Sequence, residues 1–261
     1  MDLQLTDKTA LVLASSSGLG KAIATELANE EANVVIASRS EDKLGQAKND
    51  IEQNATGQVE YKVFDQTNYD SIKELVQFTR DTFGKINILV TNSGGPQAGT
   101  FETFTDEDVD EAFQLTLNSY IRVVREVLPD LKETKGRILM NTSSSVKQPI
   151  SGLTLSNIFR AGMLGLGKTL SQELAPHGIL VNVIAPGRIY TERIQQLNAI
   201  NAEKQGLDQE TFDEKDQANI PFGRYGKPEE FAKTAAYLVS YANTYTTGQT
   251  VLVDGGSSDA L

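Results

Sequence analysis

The chain has no cysteine among its 261 residues. That excludes disulfides, thiolate nucleophiles and cysteine-held metals. His177 is the single histidine, so a site built from several imidazoles is excluded as well, and no metal is expected. No apolar run reaches the roughly 18 residues of a membrane-spanning helix. Positive charge is scarce: 24 Lys and Arg stand against 35 Asp and Glu, a formal net charge of -11. Such a surface repels phosphate backbones and anionic lipids, so neither nucleic acid nor membrane is an expected partner. The opening residues place an acid at Asp2 and lack a basic-then-apolar layout; the expected compartment is the cytoplasm. Internal repeats, low-complexity tracts and linkers are missing too.

What remains is an ordinary globular composition, 39% hydrophobic and 23% charged, long enough for one large domain. Short β-branched runs fall at 9–14, 33–38, 59–64, 86–91, 137–141, 180–184 and 250–253. Each is too short for a helix and apolar on both faces, as strands of a covered parallel sheet should be. Helical patterns lie between them, among them 19–29, 70–83, 106–131 and 153–174. This alternation predicts a single-domain α/β fold over 1–261, a Rossmann-like doubly wound sheet of seven parallel strands with helices on both faces. The polar stretch 190–217, after the sixth strand, breaks the rhythm and sits where a substrate lid is expected.

The first strand leads into Ala14-Ser15-Ser16-Ser17-Gly18-Leu19-Gly20 and then a helix. Glycines let backbone approach a pyrophosphate, the helix start offers free N–H groups, and the hydroxyls of Ser15 and Ser17 add donors. A plain Ser/Gly turn capping a helix reads the same way. The second strand ends in Ser38-Arg39, with no acidic residue to repel a 2′-phosphate. Arg39 offers a planar fork suited to phosphate, or merely caps the helix that follows.

In order along the chain, these segments resemble the short-chain dehydrogenase/reductase family, in its 3-oxoacyl-[acyl-carrier-protein] reductase-like branch. The family's loop reads Thr-Gly-x-x-x-Gly-x-Gly; Gly18 and Gly20 match it, while Leu13 and Ala14 stand for the Thr and the first Gly. An alanine there is tolerated if its φ is negative. The resemblance implies that Ser15, Ser17, Gly18, Leu19 and Gly20 bind cofactor, that Ser38 and Arg39 select NADP over NAD, and that Asp65 and Gln66 lie by the adenine. It implies that Asn92 braces the central strands and that Ser93 and Gly94 line the adenine ribose. Pro186, Gly187, Ile189 and Thr191 would meet the nicotinamide. The segments 221–230 and 247–256 also match, and the family's habit implies a homotetramer acting on a small molecule.

The family's chemistry needs a tyrosine acid, a lysine that tunes it, a serine on the substrate oxygen and an asparagine for a relay water. Asn118 and Ser143 fall where the last two belong. The Tyr-x-x-x-Lys helix should begin at 156, but there the sequence reads Ser156-Asn157-Ile158-Phe159-Arg160-Ala161-Gly162. Serine is a very poor acid, and arginine keeps its proton. Lys147 and Tyr190 are the substitutes considered, each otherwise a solvated loop residue; His177 reads as a turn residue away from the ligand. Two functions follow: an NADP-dependent reductase with a rearranged catalytic set, Ser143, Asn118, Ser156, Arg160 and Lys147, or a silent NADP-binding sensor or partner subunit.

Overall fold

The computed structural model describes residues 1–260. Seven strands form one sheet: β1 (Thr9–Leu13), β2 (Asn33–Ser38), β3 (Val59–Val63), β4 (Ile88–Thr91), β5 (Arg137–Asn141), β6 (Leu180–Pro186) and β7 (Thr250–Val253). They lie in the order β3-β2-β1-β4-β5-β6-β7, and every neighbouring pair is parallel. Each crossover therefore needs a helix. The helices are α1 (Gly18–Asn29), α2 (Glu41–Glu52), α3 (Tyr69–Phe83), α4 (Asp106–Phe113), α5 (Ser119–Thr134), α6 (Thr154–Leu174), α7 (Glu192–Lys204), α8 (Gln209–Ala218) and α9 (Pro228–Val239).

The period-2 alternation of strand side chains feeds two cores. In β1, Ala10 and Val12 join Ile23, Leu27, Phe231 and Ala235 from α1 and α9 on one face. Leu11 and Leu13 join Ile72, Leu75, Tyr120 and Met163 from α3, α5 and α6 on the other. Both faces of the inner strands are thus buried, which is why their sequences read as unbroken apolar runs. Edge strand β3 carries Glu60 and Lys62 and is only partly covered. Chain order reverses between β1 and β4, and a cleft opens there at the carboxyl ends of the strands.

Two expectations fail. The helix over 106–131 is broken by a π turn at Gln114–Asn118, and α5 continues to Thr134. The carbonyl of Leu115 accepts from Gln66 Nε2 at 2.6 Å and from Ser119 Oγ at 2.8 Å, and these competing donors stand where the regular ladder yields. The condition under which an alanine at 14 is tolerated, a negative φ, is not met, since Ala14 has φ 46°. The tight turn from β1 into α1 demands a left-handed residue whatever occupies it, so the methyl is strained there by about 1 kcal/mol.

Candidate active site

The loop between β1 and α1 is shaped by close approach. A Cβ on Gly20 would lie 2.4 Å from the Ala14 carbonyl oxygen and 2.7 Å from Asn92 Nδ2. Gly18 has φ +56° and faces the Thr191 methyl. Ser17 caps α1 without spending its side chain on a cap bond, which leaves the first N–H groups of the helix for an anion. Ser15 behaves otherwise than expected. Its hydroxyl donates to the Val12 carbonyl at 2.7 Å and accepts the Ala37 N–H at 3.0 Å. Fully buried, it ties β1 to β2 and has no donor left for phosphate.

At the end of β2, Ser38 Oγ is buried with no hydrogen-bond partner, and exposed Arg39 has no carboxylate partner among the described residues. An orphaned hydroxyl beside an unpaired guanidinium fits a phosphorylated ribose. Asp65 is exposed and accepts from the Thr67 N–H at 2.9 Å. Gln66 turns its side chain inward to the π turn, with Nε2 donating to the Leu115 carbonyl at 2.6 Å.

Asn92 donates to the Ala14 carbonyl at 3.1 Å and accepts from Asn141 Nδ2 at 2.9 Å, joining the ends of β1, β4 and β5. Beyond it opens a cavity of about 620 Å³, walled by Leu19, Ser93, Gly94, Ser143, Ser156, Arg160, Pro186, Gly187, Ile189 and Thr191 among others. Gly187 is obligatory in its place: a Cβ would stand 2.5 Å from that of Asp254.

Within this wall, Ser143 Oγ accepts the Ser145 N–H at 3.2 Å, so its O–H is free to donate. Ser156 is buried in the first turn of α6, and its hydroxyl has no partner among the described residues. One turn on, Arg160 is buried as well, with Nη2 at 3.5 Å from the Gly94 carbonyl. It touches the hydroxyl of Tyr120, whose own pKa is held above the usual tyrosine value by complete burial, in spite of the neighbouring positive charge.

Several candidates lie outside the wall. Lys147 is exposed on the turn after Ser143. Asn118 belongs to the π turn, where its amide donates to Gln114 Oε1 at 2.7 Å. Tyr190 stacks on Tyr225, centroids 5.3 Å apart. His177 is exposed in the turn before β6. The wall also holds residues that motif reading passed over: Asn141, Gln148, Ile150, Arg193, Leu197 and Ser258. The signal for part of it was available, since Arg193, Ile194, Leu197 and Asn201 repeat at helical spacing along one face of α7.

A phosphate-shaped loop, a topological switch and a walled cavity at the strand ends define the site, and comparison with known proteins decides the family. The model of the family described as Enoyl-(Acyl carrier protein) reductase matches residues 13–258. The chain belongs to the short-chain dehydrogenase/reductase family. Members of that family are NAD(P)-dependent oxidoreductases. A 3-oxoacyl-[acyl-carrier-protein] reductase of Thermotoga maritima is 32% identical over 255 residues, 97% of this chain and 99% of that one. The L-sorbose reductase of Gluconobacter frateurii, solved with NADPH and L-sorbose, superposes with TM-score 0.95 at 29% identity over all of both chains. An NADPH-bound short-chain oxidoreductase of Pseudomonas aeruginosa PAO1, containing an atypical catalytic center, superposes with TM-score 0.86 at 29% identity over 99% of each.

The segment 190–217 forms two helices, α7 and α8, held by a polar knot. Arg188 Nε donates to Asp216 Oδ2 at 2.8 Å, and Tyr225 donates to the same oxygen at 2.8 Å. Asn198, completely buried, donates to Asp213 at 2.6 Å and to the Tyr225 hydroxyl at 2.9 Å. Burial and the two aspartates push Tyr225 far above the usual tyrosine pKa, so it stays protonated and acts as a structural donor. No helix among the described residues is long and apolar enough to cross a membrane.

Proposed function

We propose that the chain is an NADPH-dependent carbonyl reductase, 3-oxoacyl reductase-like, that works without an ionisable acid of its own. The observation that carries this reading is the composition of the cavity wall. Ser143, Ser156 and Arg160 share it, and no Tyr, Lys, His, Asp or Glu lines it. Ser156 and Arg160 hold the positions that the family gives to its tyrosine and lysine.

NADPH, when bound, supplies the hydride. Ser17, Gly18 and the start of α1 hold the pyrophosphate, Ser38 and Arg39 the 2′-phosphate, and Arg160 the nicotinamide ribose. The Ser143 O–H donates to the substrate oxygen, and Ser156 offers a second hydroxyl. The fixed charge of Arg160 stabilises negative charge developing on that oxygen. Arginine does not release its proton near neutral pH, so the proton comes from water passed along the serine hydroxyls. The segment 190–217 closes over the substrate as a lid.

Assembly as a homotetramer belongs to the same proposal. Ile158 on α6 is 53% exposed and Phe101 before α4 is 81% exposed. Edge strand β7 is only half-covered, and Tyr237 of α9 stands exposed. Apolar surface on these elements favours burial against a second copy.

Initial rates of NADPH oxidation on a panel of ketones and 3-oxoacyl thioesters test the reading. Slow turnover is expected, cut further by Ser143→Ala with NADPH affinity unchanged. The missing acid also favours a second reading, a silent NADP-binding sensor or partner subunit. NADPH binding without turnover on any carbonyl would decide for it.

A further inference from the structure

In a chain of net charge -11, the charged residues lining the cavity are three arginines, Arg160, Arg188 and Arg193, and no carboxylate lines it. Two are already engaged. Arg160 reaches the Gly94 carbonyl and the Tyr120 hydroxyl. Arg188 is neutralised by Asp216, Nη2 to Oδ2 at 2.5 Å, and also donates to Asn198 Oδ1. Arg193 has neither a carboxylate nor a hydrogen-bond partner among the described residues. It sits in the first turn of α7, where the helix dipole adds positive potential. From there its guanidinium spans the mouth of the cavity to residue 95. Its Nη2 lies 2.8 Å from where a Cβ on Gly95 would stand.

Arg193 is exposed to solvent at this mouth, and its planar fork matches a carboxylate in two hydrogen bonds. Its neighbours indicate which ligand it meets. Thr191, not Arg193, stands against Gly18 of the phosphate loop. Arg193 shares its helix face with Ile194, Leu197 and Asn201, opposite Gln148 and Ile150 on the loop before α6. On the reductase reading, this is the part of the cavity left to the substrate.

We propose that Arg193 is a specificity-determining residue that anchors an anionic group on the substrate, so that the preferred substrates are ketones carrying a carboxylate. The proposal rests on the reductase reading and adds to it a substrate class. Bringing that charge into the cavity neutralises Arg193 and fixes the carbonyl relative to Ser143 from a point distant from the reacting atoms.

Binding decides it without turnover. The protein is saturated with NADP⁺, which cannot reduce a ketone, and titrated calorimetrically with acetoacetate and with ethyl acetoacetate. Wild type should bind the acid at least about tenfold tighter than the ester, the range of a charge-assisted hydrogen bond. Arg193→Ala should abolish that preference, leaving the ester and NADP⁺ affinities unchanged; Arg193→Lys should keep part of it. Equal affinity of wild type for acid and ester overturns the proposal. So does a loss of NADP⁺ affinity in Arg193→Ala with the acid preference intact, which would give Arg193 to a cofactor phosphate. Wild type that fails to take NADP⁺ overturns the reductase reading instead, and the acid–ester comparison repeated without cofactor still decides the role of Arg193.

Discussion

The two halves of the cleft are built by different means. At the phosphate loop the work is done by backbone: Gly18 at positive φ, Gly20 where no Cβ fits, and helix N–H groups left uncapped. Around α6 the work falls to side chains, Ser143, Ser156 and Arg160, projected into the cavity. Backbone geometry tolerates little change, because a misplaced methyl meets main-chain atoms. A side chain can be exchanged while the fold stays intact. The comparison teaches that the binding end and the chemical end of one cleft can diverge separately.

The largest expected effect is on the side-chain half. Ser156→Tyr together with Arg160→Lys should raise NADPH-dependent ketone reduction by about 10²- to 10⁴-fold, the usual value of general acid catalysis. Ser156→Tyr alone should recover less, because arginine's dispersed charge sets the tyrosine pKa poorly. Initial rates on one ketone panel measure both; no gain in the double variant would mean that positions 156 and 160 do not carry the chemistry.

On the backbone half, Gly20→Ala should cost about 3 kcal/mol, at the upper end of overpacking penalties, since the nearest main-chain obstacles are the Ala14 carbonyl oxygen and the Ser15 Cα. Thermal unfolding and NADPH titration should both register the change. If neither moves, the loop is softer than its geometry implies.

Arg39→Ala should weaken NADPH by about 1.5–3 kcal/mol and leave NADH unaffected, because only the former offers a 2′-phosphate. Calorimetry with both cofactors measures the difference. Equal affinity of wild type for the two would remove Arg39 from the site.

The smallest effect is a gain. Ala14→Gly relieves a non-glycine residue at φ 46° and should stabilise the protein by about 1 kcal/mol, roughly 2–4 °C in Tm for a chain of this size. A lower Tm would show that the flexibility given to the unfolded chain outweighs the relieved strain.

The sheet was legible because each inner strand is buried on both faces, and its apolar run ends within two residues of the observed strand. The break at Gln114 was not legible: it involves Gln66, 49 positions away, reaching the Leu115 carbonyl. Ser15 and Gln66 looked like cofactor ligands by position, yet the Ser15 hydroxyl and Gln66 Nε2 donate inside the fold. The sign of φ at Ala14 depends on the turn geometry and not on the residue. Ser143, Ser156 and Arg160, placed by the resemblance, line one cavity, whereas Lys147, Asn118 and Tyr190 stand outside its wall. Arg193 carried no motif; it became visible only when the fold laid it across Gly95.

The central claim is that no side chain ionising near neutral pH supplies the proton. The pH dependence of kcat/KM for NADPH-dependent reduction by wild type tests it most directly, because that profile reports the ionisations of essential groups in the free enzyme. With water as the proton source and arginine fixed in charge, the profile should stay level between about pH 6 and 9. A limb that falls as pH rises through that window, and disappears in Lys147→Ala or Tyr190→Phe, would contradict the account and name the acid.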